Sequence, residues 1–250
     1  MYSKATLKKS LFYLALLMPL SDSAFAQWFL DVEAGLFNAD HNDVQIPNDS
    51  QGDRFDITDL GDGPFTGARL TLGWLPAENH ELQLVYAPFS YTEQGAFDQD
   101  IRFNGSTFTA NQAVEARYQF TNYRLRYLYH WIDQGPWALD VGGTLFVRDA
   151  SIELIQNGTR SEDDDLGLVP LLALRTTYSM SENWSARLDT DFAFAPQGRA
   201  IDLALLANYR LDDKWTLSGG YRTIEGGADN DDVYTFAWFN GVVLKATYGW

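Results

Sequence analysis

The chain has 250 residues, no cysteine, eight tryptophans among 15% aromatic residues, and a formal net charge of −16. Without cysteine there is neither a disulfide framework nor a thiol for lipid attachment. The acidic excess excludes nonspecific binding to nucleic acid, whose phosphates would repel the chain.

The first residues, MYSKATLKKSLFYLALLMPLSDSAFAQW, place Lys4, Lys8 and Lys9 before an apolar run from Leu11 to Leu20. That run is the length of a signal-peptide core and too short to span a bilayer as a helix. Ala24-Phe25-Ala26 has the small-x-small form of a cleavage site. Residues 1–26 are therefore expected to be a secretory signal, and residues 27–250 a single domain.

Beyond that point no apolar run is long enough for a transmembrane helix. Short alternating segments follow instead, each with one greasy face. Residues 28–37 carry Trp28, Leu30, Val32 and Leu36 on one face, with Asp31 and Glu33 on the other. Residues 65–75 set Leu70, Leu72 and Trp74 against Arg69, and residues 80–90 set Leu82, Leu84 and Tyr86 against Glu81. Residues 114–131 end with Tyr123, Leu125, Tyr127, Tyr129 and Trp131 opposite Arg124 and Arg126. Tyr118 and Phe120 are in the other phase, which predicts a bulge near Thr121.

The second half repeats the pattern. Residues 137–149 set Trp137, Leu139, Val141 and Leu145 against Asp140 and Arg148; residues 166–178 set Leu172, Leu174 and Tyr178 against Arg175. Residues 184–194 oppose Trp184 and Leu188 to Arg187, Asp189 and Asp191; residues 200–210 oppose Leu203, Leu205 and Tyr209 to Asp202 and Arg210. Residues 215–224 oppose Trp215, Leu217 and Tyr221 to Arg222, and residues 233–250 oppose Trp238, Val242, Leu244, Tyr248 and Trp250 to Lys245. Ten segments result. Tight turns (PAEN, DQGP, SMSEN, LDDK) follow the even-numbered ones, and long connections follow the first, third and fifth. Alternating short and long connections predict a ten-stranded antiparallel up-and-down transmembrane β-barrel, with the short turns periplasmic.

Trp28, Trp74, Trp131, Trp137, Trp184, Trp215 and Trp250 all fall at the expected periplasmic strand ends. An aromatic girdle at a membrane interface explains that placement, because the indole ring favours the headgroup layer. The last residues, LKATYGW, resemble the C-terminal targeting signal of bacterial outer-membrane barrels, with Trp where most of those proteins carry Phe. That resemblance implies recognition by the barrel-assembly machinery. The whole of residues 27–250, with loop text of the type NDVQIPND, is similar to uncharacterised bacterial outer-membrane β-barrel proteins, a likeness that implies location and fold but no activity.

Sixteen charged residues are expected to face the lumen: Asp31, Glu33, Arg69, Glu81, Arg124, Arg126, Asp140, Arg148, Arg175, Arg187, Asp189, Asp191, Asp202, Arg210, Arg222 and Lys245. Crowded, poorly hydrated charges of nearly balanced sign must pair, so a salt-bridged, filled interior is expected. The alternative is a narrow channel for ions or small solutes, with inward Gly35, Gly67, Gly73, Gly142 and Gly220 supplying room.

The acidic excess lies in the expected external loops, ADHNDVQIPNDSQGDRFDITDLGDG, RSEDDDLG and EGGADNDD. These adjoin lipopolysaccharide and other outer-membrane lipid, the expected partners. Calcium or magnesium could bridge such carboxylates, though no EF-hand spacing is present; no other cofactor is expected. An outer-leaflet enzyme is the remaining alternative. Asp189 and Asp191 share a face, and His41 could reach the rim, but the Asp-x-His of the omptin proteases is absent and no histidine has a serine two residues away. Catalysis is therefore not expected.

Overall fold

The computed structural model describes residues 27–250; the expected signal segment lies outside them. Ten strands form the barrel: β1 (Gln27–Gln45), β2 (Phe65–Ala77), β3 (His80–Ala87), β4 (Val114–Gln134), β5 (Trp137–Gln156), β6 (Thr159–Ser179), β7 (Trp184–Ala195), β8 (Gly198–Arg210), β9 (Trp215–Asp229) and β10 (Tyr234–Gly249). Each pairs antiparallel with its neighbour in sequence, and β10 pairs with β1 from Phe29 opposite Gly249 to Gln45 opposite Tyr234. Closure leaves no free sheet edge. The third stave bends at Pro88 and continues as Ser90–Gly95, still paired with β4.

The barrel is inverted relative to a water-soluble one. Large apolar side chains such as Leu36, Leu84, Leu145, Leu172, Leu205, Val242 and Leu244 are exposed on the outside, while Glu33, Glu81, Arg124, Arg126, Asp191, Asp202 and Arg222 are buried inside. Only a hydrocarbon surround makes that arrangement favourable.

At the short-turn end the tryptophans pair with aromatics directly across the sheet. Trp28 stacks on Trp74 at 5.6 Å. Trp137 meets Tyr178 at 4.7 Å, Trp184 meets Tyr209 at 4.8 Å, and Trp215 meets Tyr248 at 4.8 Å. Trp250 lies 5.9 Å from Tyr248, and its backbone exchanges hydrogen bonds with Trp28. Trp131 is the extra residue of a bulge between His130 and Ile132, and its ring is exposed in the outward phase of Tyr127 and Tyr129.

Three expectations about the backbone are corrected. There is no bulge near Thr121: the register of β4 runs unbroken through it, and Tyr118 and Phe120 share the inward phase of Arg124. They are inward aromatics at the loop end rather than outward ones out of step. The long connection expected after β5 is a two-residue turn, Asn157-Gly158, with φ of 50° and 85°. RSEDDDLG is therefore part of β6, in a hairpin that continues well past the apolar band. Positive φ at both positions is the hairpin turn whose twist matches the strands. No heavy atom lies within 4 Å of a Cβ added at Gly158, so Gly158→Ala is expected to cost about 1–2 kcal/mol from backbone strain alone; the urea midpoint of the refolded barrel measures it. Finally, the inward glycines do not open a passage. A Cβ at Gly67 would lie 2.8 Å from the Phe37 ring, and one at Gly73 would lie 2.0 Å from the Phe29 ring. Aromatic rings occupy the space those glycines leave.

A charged lumen beneath an apolar cap as the candidate functional site

Strand alternation aims inward charges from all ten strands into the lumen. Asp202 on β8 is the hub of the central layer. Its carboxylate accepts from Arg69 on β2 at 2.5 Å and from Arg222 on β9, and it forms an ion pair with Arg124 on β4 at 2.7 Å. Arg222 in turn grips Glu33 on β1 with two bonds of 2.9 and 3.0 Å. Such a planar fork is what arginine offers and lysine does not. Arg124 reaches Asp191 at 2.8 Å, and Arg126 reaches Asp189 at 2.5 Å. Arg126 Nε is also 3.0 Å from Asp191, near enough for an ion pair though not aligned as a hydrogen bond.

A second group lies closer to the short-turn end. Arg175 on β6 donates to Glu81 at 2.9 and 2.6 Å and to Asp140 at 2.5 Å. His130 Nδ1 is 2.7 Å from Asp140, and Gln83 donates to Glu81 at 2.5 Å. At the β1–β10 seam Lys245 pairs with Asp31 at 3.4 Å, and the Thr247 hydroxyl donates to Asp31 at 2.6 Å. The neutral members of this layer, Gln83, Thr144 and Thr247, lie outside the expected charge network although they share its inward face. Their inward phase was the available signal; Thr144 donates to Asp191 at 3.0 Å.

Three residues from the expected set stand apart. Arg210 is exposed at a short turn, where it donates to the Glu182 carbonyl at 2.5 Å; it is not a lumen residue. Arg148 pairs with Asp165 across the β5–β6 hairpin. Arg187 has no carboxylate within 4.0 Å among the described residues and donates weakly to the Thr177 hydroxyl at 3.4 Å. A cavity of about 290 Å³ runs through the charged layer toward the short-turn end, lined by Arg124, Asp202 and Arg222 at one side and by Phe29, Arg187 and Lys245 at the other.

At the opposite end the charges give way to aromatic rings. Phe65 stacks on Tyr91 at 3.9 Å, Phe89 packs against Phe239 at 4.9 Å, and Tyr118 lies 5.3 Å from Tyr91. Asn42 donates to the Tyr91 hydroxyl at 2.6 Å, satisfying both polar groups within the apolar surround. The long loops, residues 46–64 and 96–113, fold over these rings. Phe55 meets Phe97 and Phe103 at 5.2 and 5.8 Å, and Phe103, Ile57, Val44 and Leu154 have no exposed surface. Arg102 clamps the two loops together, donating to Asp53 and to the Ser50 carbonyl. Those bonds hold the Asp53 carboxyl below its usual range. Between cap and charged layer the gap measures about 30 Å³, enough for one or two waters.

The cap was not foreseen. The loops read as acidic, yet their apolar residues converge, and among the described residues no three carboxylate or imidazole groups are gathered for a metal. The pairing considered for catalysis is also dissolved. Asp189 and Asp191 are bound to arginines inside the lumen, whereas His41, beyond a bulge in β1, lies 6.1 Å from the outward-facing Trp238.

No protein-family model matches the chain, and no curated protein matches it. Among solved structures, it is similar to the outer membrane protease OmpT from Escherichia coli, at 10% identity over 90% of this chain and 97% of that one, with a TM-score of 0.46. It is also similar to Ail, the attachment invasion locus protein of Yersinia pestis, at 8% identity over 89% of this chain and 99% of that one, with a TM-score of 0.41. An outer membrane channel from Pseudomonas putida F1 matches at 10% identity over 90% of this chain and 96% of that one, with a TM-score of 0.41.

Proposed function

We propose that the protein is an integral outer-membrane barrel that acts as a sealed scaffold presenting its loops at the cell surface, rather than as a channel or an enzyme. The short-turn end then faces the periplasm and the loop end the exterior, after export by the signal segment and insertion by the barrel-assembly machinery. The observation that carries this reading is the double closure of the lumen. A layer of interlocked ion pairs lies beneath an apolar cap, and only about 30 Å³ separates them. A conducting pore needs a continuous wet path; ions would have to displace paired guanidiniums and then cross buried rings.

The test is conductance of the purified protein in a planar bilayer at high salt. Silence is expected, with insertion verified by heat-modifiable gel mobility. Uniform, steady current steps would overturn the sealed-scaffold reading in favour of the narrow channel.

A further inference from the structure

The outer wall of β8–β10 carries a feature that neither the sealed lumen nor the cap requires. Tyr248 marks the aromatic girdle at the short-turn end of β10, and Trp238 lies ten residues along the same outward face. At about 3.3 Å per residue and 35–45° of tilt, that distance is roughly the 25 Å height of the apolar band of such barrels. Trp238 therefore stands at the opposite interface, and Phe236 and Tyr234 lie just beyond it, at headgroup level.

There the surface is an aromatic shelf with two guanidiniums on it. Phe236 lies flat against the sheet because its neighbour on β9 is Gly227, where a Cβ would lie 2.5 Å from the ring. Tyr234 is 5.1 Å away. Arg199 extends from β8 over Phe236 at 4.8 Å, its Nε and Nη2 held by Glu225 at 2.6 and 2.5 Å, with Nη1 left without a protein partner among the described residues. Arg54 reaches out of the first loop to sit 3.5 Å over Tyr234. That loop holds five aspartates, yet Arg54 has no carboxylate within 4.0 Å among the described residues. An exposed arginine that bypasses so many local partners for a ring at the membrane boundary is placed to meet an anion there.

We infer that this shelf binds the phosphorylated sugar headgroup of an outer-leaflet lipid, the phosphate bridging Arg54 and Arg199 and the acyl chains lying along the apolar wall below Trp238. The free guanidinium edges support this occupant: Asp43 and Asp229 lie across the sheet from Phe236 and Tyr234, yet neither comes within 4.0 Å of Arg54 or Arg199. Glu225, the third carboxylate on the strip, fixes the inner edge of Arg199 while leaving the outer edge free. The inference rests on the proposed orientation, with the loop end outside.

The test uses protein purified from the membranes of a Gram-negative host expressing the full chain. It is titrated in micelles with bis-phosphorylated lipid A, and native mass spectrometry reads the lipid-bound fraction. R54Q/R199Q is expected to bind at least about tenfold more weakly, the loss of one or more charge-assisted hydrogen bonds. R117Q, on the β5-facing side of β4, should bind as the wild type does, and lipid A stripped of both phosphates should bind the wild type as weakly as the intact lipid binds the double variant. Undiminished binding by the double variant, or equal binding of the stripped lipid, would overturn the site. If R54Q/R199Q lost heat-modifiable mobility, R54Q alone, a change at an exposed loop residue, would carry the same comparison. Wild-type protein that failed to fractionate with the outer membrane would instead strike the proposed location.

Discussion

Asp202→Ala is expected to destabilise the refolded barrel by about 3–5 kcal/mol, the cost of stripping a buried charge of its partner. The carboxylate of Asp202 is shared by Arg69, Arg124 and Arg222, all of them largely buried. Its removal leaves three guanidiniums facing one another. Glu33 and Asp191 can compensate Arg222 and Arg124 only in part, since each already holds its own bonds. Arg69 fares worst, because its remaining carboxylate, Glu33, is 4.0 Å away. Urea unfolding in micelles, followed by tryptophan fluorescence, measures the loss. Arg117→Ala is the comparison. Its guanidinium is half-exposed and pairs with Glu115 and Glu153, so it should cost under about 1 kcal/mol. Equal effects for the two would mean that the lumen layer is hydrated and weakly coupled.

Phe103→Ala should act in a different place. The Phe103 ring has no exposed surface and packs edge-on against Phe55 in the centre of the cap. Truncating a buried phenylalanine costs about 3–5 kcal/mol, and here the cost falls on two loops that a few polar bonds hold together. The cap is expected to open while the barrel persists. Limited proteolysis should cut within residues 46–64 and 96–113, and heat-modifiable mobility should be unchanged. The bilayer should still be silent, because the ion-paired layer below the cap remains closed. Cleavage no faster than in the wild type would show that barrel and cap share one cooperative unit.

The parts of this molecule that could be read from sequence are those governed by a period of two. Leu82, Leu84 and Tyr86 against Glu81 give an outward and an inward face wherever one side meets hydrocarbon, and the tryptophans mark the level at which that ends. Above the apolar band both faces of a strand can be polar, so the alternation disappears although the strand continues. That is why Ser161 to Gly167 read as loop and folds as β6. Asn157-Gly158 was a strong turn signal, masked by the acidic run after it. The cap failed for another reason. Val44, Ile57, Phe97 and Phe103 are irregularly spaced, and their convergence depends on two loops meeting across the barrel mouth. The charges of the lumen were visible from their phase, but their partners were not. Arg124 meets Asp191 and Asp202, 67 and 78 residues onward in number, because of the stagger of strands around the barrel, which no local pattern encodes.

The seam between the first and last strands also sets an order of events. Glu33 is joined to Arg222 across 189 residues, and Asp31 to Lys245 across 214. Contacts so distant in sequence form late, since nearly the whole chain must be in place before they reward its ordering. Until β1 and β10 meet, Lys245 lacks Asp31, and Arg222 has Asp202 on the neighbouring strand but not Glu33. The moment of closure is therefore also the moment at which charge is withdrawn from solvent. Hydrogen bonding at the seam and neutralisation of Asp31 and Glu33 become a single late step, which acts as a latch on a barrel that has otherwise already taken shape.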